Sequence, residues 1–254
     1  MKLENMSAVV TGGASGLGLA TALQLRDRGI PVIIVDKNEE RGAEAIAQLG
    51  ATCTYIQADV CDPEQMNKVF EKAVSLAPFR ILIHCAGYGG AVRLVEKDGQ
   101  PGSLEKFEDV IRVNLIGTFN TLRLAAATMA KNEPIDGERG ACVLTASVAA
   151  YEGQIGQVPY ASAKAGIVVM TIVAARDLAQ RLIRVCTIAP GIFDTPLLAR
   201  LPENVKASLG ASVPHPARLG QPREYGLMAL HILENPMLNG ETIRLDGAIR
   251  MTAR

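Results

Sequence analysis

The chain has 254 residues, of which 48% are hydrophobic, and its 26 basic residues balance 26 acidic ones. This length and composition suit one α/β domain with a substantial core better than two small domains. Because no block of like charge stands out, neither nucleic acid nor a membrane surface is expected as a partner, and a small-molecule ligand is.

The first residues run into an apolar strand without the basic region, long apolar stretch and cleavage site of an export signal. The longest apolar runs are soon interrupted by charge and fall short of the roughly 20 residues that a membrane helix needs. We therefore predict a cytoplasmic protein. Five scattered cysteines without a C-x-x-C pair and three distant histidines predict reduced core thiols and no metal site.

Short apolar runs alternate with helical patterns along the chain. The first helix is predicted over 17–28, with Gly29 as its C-terminal cap. Another is predicted to begin after Asp62, with Pro63 in its first turn and Gln65 completing a capping box, and a long helix starts near Ser103. Strands are predicted over 8–10, 32–35, 54–56, 81–83, 142–145, 185–188 and 242–245.

Seven strands separated by helices predict parallel pairing, because right-handed crossovers then place helices on both faces of the sheet. The expected fold class is α/β: a single doubly wound, Rossmann-type domain over 1–254 with a mainly parallel seven-stranded sheet. Such sheets bind ligands at the carboxyl ends of their strands, near the switch in strand order.

A glycine-rich turn, Thr-Gly-Gly-Ala-Ser-Gly-Leu-Gly over 11–18, links the first strand to the first helix. Glycines let the backbone approach a pyrophosphate, and the helix N-terminus supplies free N–H groups. The spacing differs from the general G-x-G-x-x-G fingerprint, and a purely structural turn is the alternative. The predicted phosphate-binding residues are Gly12, Ser15, Gly16, Leu17 and Gly18.

Three further strand ends are cofactor-binding candidates. Asp36, at the end of the second strand, can accept hydrogen bonds from the adenosine ribose and would repel a 2′-phosphate, which favours NAD, although Lys37 could tolerate some NADP. A solvated carboxylate is the alternative. After the third and fourth strands, candidates for contacts with adenine and ribose, or else plain strand-to-loop junctions, are Asp59, Val60, Cys85, Ala86 and Gly87.

Tyr160 and Lys164 stand four residues apart in a helical stretch, so they share one face. A neighbouring ammonium lowers the pKa of a phenol, which would make Tyr160 usable as an acid or base, whereas a purely structural pair is the alternative. Ser147 follows the fifth strand and, without a G-x-S-x-G elbow, is expected to donate a hydrogen bond rather than attack. Asn114 is a polar residue in an apolar helix, which either satisfies backbone or holds a water near Lys164.

These motifs together resemble the short-chain dehydrogenase/reductase family, in order and over nearly the whole chain. The matching segments are the 11–18 turn, Asp59, Cys85-Ala86-Gly87, Asn114, Ser147, Tyr160-x3-Lys164 and Pro190-Gly191. One departure is His84-Cys85, where the family usually has two asparagines. Segments at 11–21, 145–150, 152–157, 188–191 and 239–250, with an insertion near 132–134, are similar to one branch, the type 2 3-hydroxyacyl-CoA dehydrogenases, also called type 10 17β-hydroxysteroid dehydrogenases.

The resemblance implies an NAD-dependent hydride transfer between a secondary alcohol and its ketone. Tyr160 would exchange the alcohol proton, Ser147 would hold the substrate oxygen, Lys164 would tune Tyr160 and bind the nicotinamide ribose, and Asn114 would support a water. The nicotinamide carboxamide would contact Pro190, Gly191, Ile192 and Thr195.

The substrate implied is an acyl-CoA thioester, a 3-hydroxyacyl-CoA with a straight, branched or aryl-substituted chain, and the implied assembly is a homotetramer. Gln154 and Gln157 are expected to line the substrate pocket, or else to lie in a surface loop. The segment 193–219 is expected to act as a substrate lid. Its Arg200, Lys206 and Arg218 would either meet a CoA phosphate or be solvated surface charges. A hydroxysteroid dehydrogenase and a non-catalytic nucleotide-binding subunit are the alternatives.

Overall fold

The sheet forms because seven strands are apolar on both faces and helices cover both sides. The computed structural model describes residues 2–196, 198 and 201–253. The strands are β1 (Ser7–Thr11), β2 (Val32–Asp36), β3 (Cys53–Gln57), β4 (Phe79–His84), β5 (Gly140–Thr145), β6 (Ile183–Pro190) and β7 (Thr242–Leu245). All are parallel, in the order β3-β2-β1-β4-β5-β6-β7, so the predicted seven-stranded doubly wound sheet is confirmed.

The α-helices of the described chain are α1 (Gly16–Arg26), α2 (Glu39–Leu49), α3 (Pro63–Leu76), α4 (Leu104–Ile111), α5 (Gly117–Met129), α6 (Val158–Leu178), α7 (Glu203–Ala211) and α8 (Pro222–Glu234). Alternate residues of each strand face opposite sides of the sheet. In β1, Ala8 and Val10 pack with α1, α2 and α8, whereas Val9 packs with α3, α5 and α6. Chain order changes between β1 and β4, which sets the switch point at the carboxyl ends of these two strands.

Of three predicted helix features, the first is confirmed. Gly29 follows α1 with a φ of 76°, its N–H donates to the Arg26 carbonyl, and the N–H of Ile30 donates to the Leu25 carbonyl, which together form the glycine C-terminal cap that the sequence predicts. Asp62 caps α3 as predicted, but Gln65 Oε1 accepts the N–H of Asp59 rather than that of Asp62, so the capping box is not closed.

The long helix predicted from Ser103 is interrupted. Between α4 and α5 the five residues Arg112–Ile116 form a π-helical turn, which contains Asn114. Such turns insert an extra residue into the α-helical pattern and occur frequently at functional sites. The turn rotates Asn114 relative to the helix before it, and the buried side chain faces the carboxyl end of β4.

Candidate active site

The carboxyl ends of β1, β2, β4, β5 and β6 open into one cleft of about 730 Å³. This volume is in the range of small-molecule and cofactor pockets. Most of the predicted cofactor-binding residues line it: Gly12, Ser15, Gly16, Leu17, Gly18, Asp36, Asp59, Val60, Cys85, Ala86, Gly87, Tyr160, Lys164, Pro190 and Thr195. Gly191 and Ile192 do not: Gly191 packs against Asp246, and Ile192 lines a smaller cavity behind the cleft.

The glycine turn has the close packing that a phosphate cradle needs. Gly12 has a φ of 62°, and a Cβ there would lie 2.8 Å from the backbone nitrogen of Ala86. A Cβ on Gly18 would overlap the carbonyl oxygen of Gly12. Ser15 precedes α1 in an extended conformation and does not cap it, so the first-turn N–H groups remain available at the cleft. The turn therefore fits a dinucleotide pyrophosphate.

A carboxylate and an ion pair line the adenosine end of the cleft. Asp36 ends β2, and one of its oxygens accepts the N–H of Asn38 at 3.1 Å. Lys37 Nζ lies 3.1 Å from Asp59 Oδ2. Burial raises the pKa of Asp59, but hydrogen bonds from the Cys61 N–H and from Lys37 outweigh it, so the pKa lies below its usual value. Lys37 is thus already engaged by a carboxylate.

The predicted catalytic side chains meet at the other end of the cleft. Tyr160 is hydrogen-bonded with Ser147, which follows β5 by two residues. Lys164 is buried, donates to the Thr145 carbonyl at 2.9 Å, and its Nζ lies 5.6 Å from the centre of the Tyr160 ring. A Cβ on Gly87 would lie 2.5 Å from Asn114 Oδ1 and 3.5 Å from Lys164 Nζ, so these two atoms flank the same point.

The Asn114 side chain uses its nitrogen but not its oxygen in hydrogen bonds with the described residues. Its Nδ2 donates to the carbonyls of Tyr88 and Val110, at 2.9 and 3.0 Å. Its Oδ1 is buried and has no hydrogen-bond partner among the described residues. Since buried polar atoms are almost always satisfied, this oxygen is an acceptor for a water or ligand at the Lys164 end of the cleft.

The charge states differ from the expectation that the ammonium alone would make Tyr160 acidic. Burial raises the pKa of Tyr160, and the hydrogen bond with Ser147 only partly opposes it. Burial also lowers the pKa of Lys164 to about 8. The cause is desolvation, which disfavours the charged form of both groups and which a sequence does not display.

Gln154 and Gln157, predicted to line the substrate pocket, are not among the residues that line the cleft. Gln154 and Gln157 lie before α6 and hydrogen-bond to each other, and Gln154 also donates to the carbonyl of Thr252 at 3.3 Å. The N–H of Ile155 donates to the Ala253 carbonyl at 3.0 Å. The loop of residues 151–157 is therefore attached to the C-terminal tail.

The same loop is held by charge and by a second loop. Glu152 accepts two hydrogen bonds from Arg244, at 2.7 and 2.9 Å. The segment 88–102, between β4 and α4, forms a parallel bridge between Val92 and Gln157. Residues 88 and 89 of this segment line the cleft, although no motif in the sequence pointed to them.

In the predicted lid, residues 193–219, Phe193 bridges to Gly220 and α7 forms the middle part. Lys206 pairs with Glu203 at 2.7 Å, and Arg218 pairs through both nitrogens with Glu224. These pairs favour surface charges over phosphate ligands. Arg200 lies outside the described residues, and closure of the segment stays a prediction.

Other cleft residues were missed as well. Arg41 lines the adenosine end, because the first turn of α2 points at the cleft, and its position five residues after Asp36 was the available signal. Val113 and Pro196 flank the predicted residues Asn114 and Thr195. Val35, Ala58, Thr145 and Ala146 lie at or just beyond strand ends and have no chemical signature of their own.

Comparisons with known proteins agree with this geometry. A family model described as short chain dehydrogenase matches residues 6–206. The 3-hydroxyacyl-CoA dehydrogenase type-2 of Homo sapiens is 48% identical over 256 residues, covering 98% of this chain and 97% of that protein. A crystal structure of 3-hydroxyacyl-CoA dehydrogenase type-2 from Mycobacterium avium matches with a TM-score of 0.95 and 44% identity, covering 100% of both chains. An actinorhodin polyketide ketoreductase with NADPH, 23% identical over 98% of each chain, has a TM-score of 0.85 and shares the fold.

The chain belongs to the short-chain dehydrogenase family and is an oxidoreductase that uses a nicotinamide cofactor. The resemblance seen in the motifs, including the branch, is confirmed.

The cradle can be tested by adding one methyl group. We expect Gly18→Ala to weaken NADH binding at least about tenfold, a loss of ~1.4 kcal/mol, because the new Cβ would push the Gly12 carbonyl out of the turn. Gly29→Asn, at the far end of α1 where nothing lies within 4 Å, is the matched control. NADH fluorescence titration measures both, and equal affinities for the two variants would contradict the cradle.

Proposed function

We propose that this enzyme is an NAD-dependent dehydrogenase of 3-hydroxyacyl-CoA thioesters, which it interconverts with 3-oxoacyl-CoA. The supporting observation is the full-length likeness to 3-hydroxyacyl-CoA dehydrogenases type-2. It is combined with Tyr160, Lys164 and Asn114 on the wall of one cleft and with the hydrogen bond between Ser147 and Tyr160.

The nicotinamide, when bound, accepts a hydride from the carbinol carbon in oxidation and returns it in reduction. Ser147 holds the substrate oxygen by a hydrogen bond, and the Tyr160 oxygen takes the proton from the alcohol. The ammonium of Lys164, 5.6 Å from the centre of the Tyr160 ring, favours the phenolate form of Tyr160 during this proton transfer. Asn114 Oδ1 supplies the acceptor for a water that carries the proton onward.

NAD is the proposed cofactor because of the charges at the adenosine end. Asp36 lies where a 2′-phosphate would meet a negative charge, and Lys37, the nearest cation in sequence, is engaged by Asp59. Arg41 lies on the same wall and would partly offset this repulsion. We therefore expect a preference rather than an absolute requirement.

The substrate proposal predicts the outcome of a panel assay. With NAD⁺, kcat/KM for a 3-hydroxyacyl-CoA exceeds kcat/KM for the matching free 3-hydroxy ester or for a hydroxysteroid. With the same substrate, kcat/KM for NAD⁺ exceeds kcat/KM for NADP⁺ by at least about tenfold, or ~1.4 kcal/mol. Asp36→Ala lowers the ratio of kcat/KM with NAD⁺ to kcat/KM with NADP⁺. Equal or faster turnover of the free alcohol contradicts the thioester assignment, and an unchanged ratio in the variant contradicts the role of Asp36.

The proton step rests on Tyr160. Tyr160→Phe removes only the phenolic oxygen, so kcat falls at least about 100-fold, the scale of general acid–base catalysis, while NADH affinity is retained. Steady-state kinetics and NADH titration separate the two quantities. Turnover that persists in this variant places the base elsewhere, and a wild-type protein that binds NADH without turning over any alcohol favours a non-catalytic subunit.

We also propose a homotetramer. Val158–Arg181, which includes α6, is long and apolar enough to cross a membrane by length and composition, yet α6 carries Tyr160 and Lys164 and packs on the sheet. Only 33% of the most apolar 18-residue stretch of this segment is buried within one protomer. Helix α6 exposes Val169 and Val173, and α5 exposes Phe119, so a second copy of the chain is the proposed cover for these apolar side chains.

Light scattering during size exclusion tests this assembly. The wild-type enzyme is expected at four times the 27.0 kDa chain mass, and Val169→Glu is expected to yield smaller species because the new carboxylate is buried without a partner. Val74→Glu, at another exposed valine, which lies in α3, is the control. A monomeric wild type, or a Val169→Glu tetramer, contradicts the proposed face.

A cytoplasmic location completes the proposal. It is supported by the cysteines, all five of which are free thiols, as is usual in a reducing compartment. Cell fractionation followed by detection of the untagged protein tests it.

A further inference from the structure

His84 is a buried imidazole next to the active site with a hydroxyl on each side. It is the last residue of β4 and is 1% exposed. Its Nδ1 lies 2.8 Å from Thr11 Oγ1 of β1, and its Nε2 lies 3.0 Å from Thr118 Oγ1 of α5. The ring thus joins the sheet to the helix that follows the π-helical turn.

The partners of the two hydroxyls determine which ring nitrogen carries the proton. Thr118 Oγ1 donates its single hydrogen to the Asn114 carbonyl at 2.5 Å, so it can only accept from His84, and Nε2 must be protonated. Nδ1 of a neutral ring is then an acceptor, so Thr11 Oγ1 donates to it. Thr11 Oγ1 in turn accepts the N–H of Ala86 at 3.3 Å.

The result is a hydrogen-bond chain with defined directions at each link. One arm runs from the Ala86 N–H through Thr11 to Nδ1 of His84, and the other from Nε2–H through Thr118 to the carbonyl of Asn114. One end of this hydrogen-bond chain is the backbone N–H of Ala86, a residue that lines the cleft. The other end is the backbone carbonyl of Asn114, whose side-chain Oδ1 lies at the Lys164 end of the cleft. Position 84 is also where the sequence departs from the asparagine usual in the family.

The ring stays neutral at working pH. Burial, and secondarily the positive charge of Lys164, lowers the pKa of His84 to about 3. The groups that face it are the two hydroxyls of Thr11 and Thr118, the ammonium of Lys164, and the neighbouring Cys85, whose own pKa is raised by burial. His84 therefore serves as a fixed donor and acceptor, and not as a proton carrier.

We infer that His84 is a positioning residue for the active site: through Thr118, its Nε2–H tautomer holds the π-helical turn so that Asn114 faces Lys164. The extra residue in that turn shifts its carbonyls out of the regular helical ladder. The hydrogen bond from Thr118 to the Asn114 carbonyl is the tie that sets where this peptide lies, and His84 keeps the Thr118 hydrogen turned toward it.

Two substitutions at His84 distinguish the contribution of the Thr118 arm of the hydrogen-bond chain from that of the Thr11 arm. A glutamine reaches to the Nε2 position and retains a donor for Thr118, whereas an asparagine reaches only to the Nδ1 position. At the next link, Thr118→Val removes the hydroxyl without changing shape, and Thr118→Ser restores it. Thr121→Val is the matched control, because the Thr121 hydroxyl is buried on the same helix one turn away and has no partner among the described residues.

The expected kinetic result is a loss confined to kcat. With any alcohol that the wild-type enzyme oxidises, His84→Asn and Thr118→Val lower kcat at least about tenfold, or ~1.4 kcal/mol, with KM and NADH affinity within about threefold. His84→Gln and Thr118→Ser recover most of kcat, and Thr121→Val matches wild type. Equal losses in the asparagine and glutamine variants, or a loss of NADH affinity parallel to kcat, overturn the inference in favour of a merely structural histidine.

The tautomer is tested without turnover. In enzyme labelled with ¹⁵N-histidine, the spectrum that correlates ring nitrogens with carbon-bound protons contains three imidazoles, and the one missing in His84→Gln belongs to His84. We expect it to remain Nε2–H and neutral down to pH 5. An Nδ1–H ring or a protonated ring overturns the inference. Only the kinetic experiment rests on the proposed function. If the thioester proposal fails, the histidine spectrum and the turnover of another alcohol still test the role of His84.

Discussion

The site depends on the interactions of one buried charge, the ammonium group of Lys164. Its Nζ binds the Thr145 carbonyl, lies over the Tyr160 ring, and borders the same point as Asn114 Oδ1. A charge in such surroundings is costly unless it has partners, and its lowered pKa of about 8 records that cost. The neighbouring imidazole of His84 stays neutral beside this charge.

The fold brings these groups together by the way the chain alternates. The five inner strands are apolar runs buried on both faces, and because all seven strands are parallel, the polar residues that follow them collect at one edge of the sheet. Helix α6 begins after β5 and carries Tyr160 and Lys164 back along that edge. The crossover at β1 and β4 opens the space into which the glycine turn and residues 85–87 project.

Much of this was predictable from the sequence because it depends on local patterns. The seven strands, the Asp62 cap and the glycine turn are set by neighbouring residues and are where they were predicted. The π-helical turn was not foreseen, since one inserted residue leaves the apolar pattern around Asn114 nearly unchanged. The pKa of Tyr160 depends on desolvation, and the partner of Gln154 depends on a tertiary contact with Thr252, so no local pattern encodes either. The Lys206–Glu203 pair, three residues apart in α7, is local, and a solvated surface charge is one of the two alternatives that the sequence leaves open for Lys206.

The link between the 151–157 loop and the C-terminal tail joins two segments that are 98 positions apart between Gln154 and Thr252. Glu152 and Arg244 add a charge pair that holds the same loop. Among relatives, we expect a change in one of the two segments to be accompanied by a change in the other. Exchanging the loop alone between two such enzymes would then leave it without its hydrogen-bond partners, and the two segments would have to be transplanted as a pair.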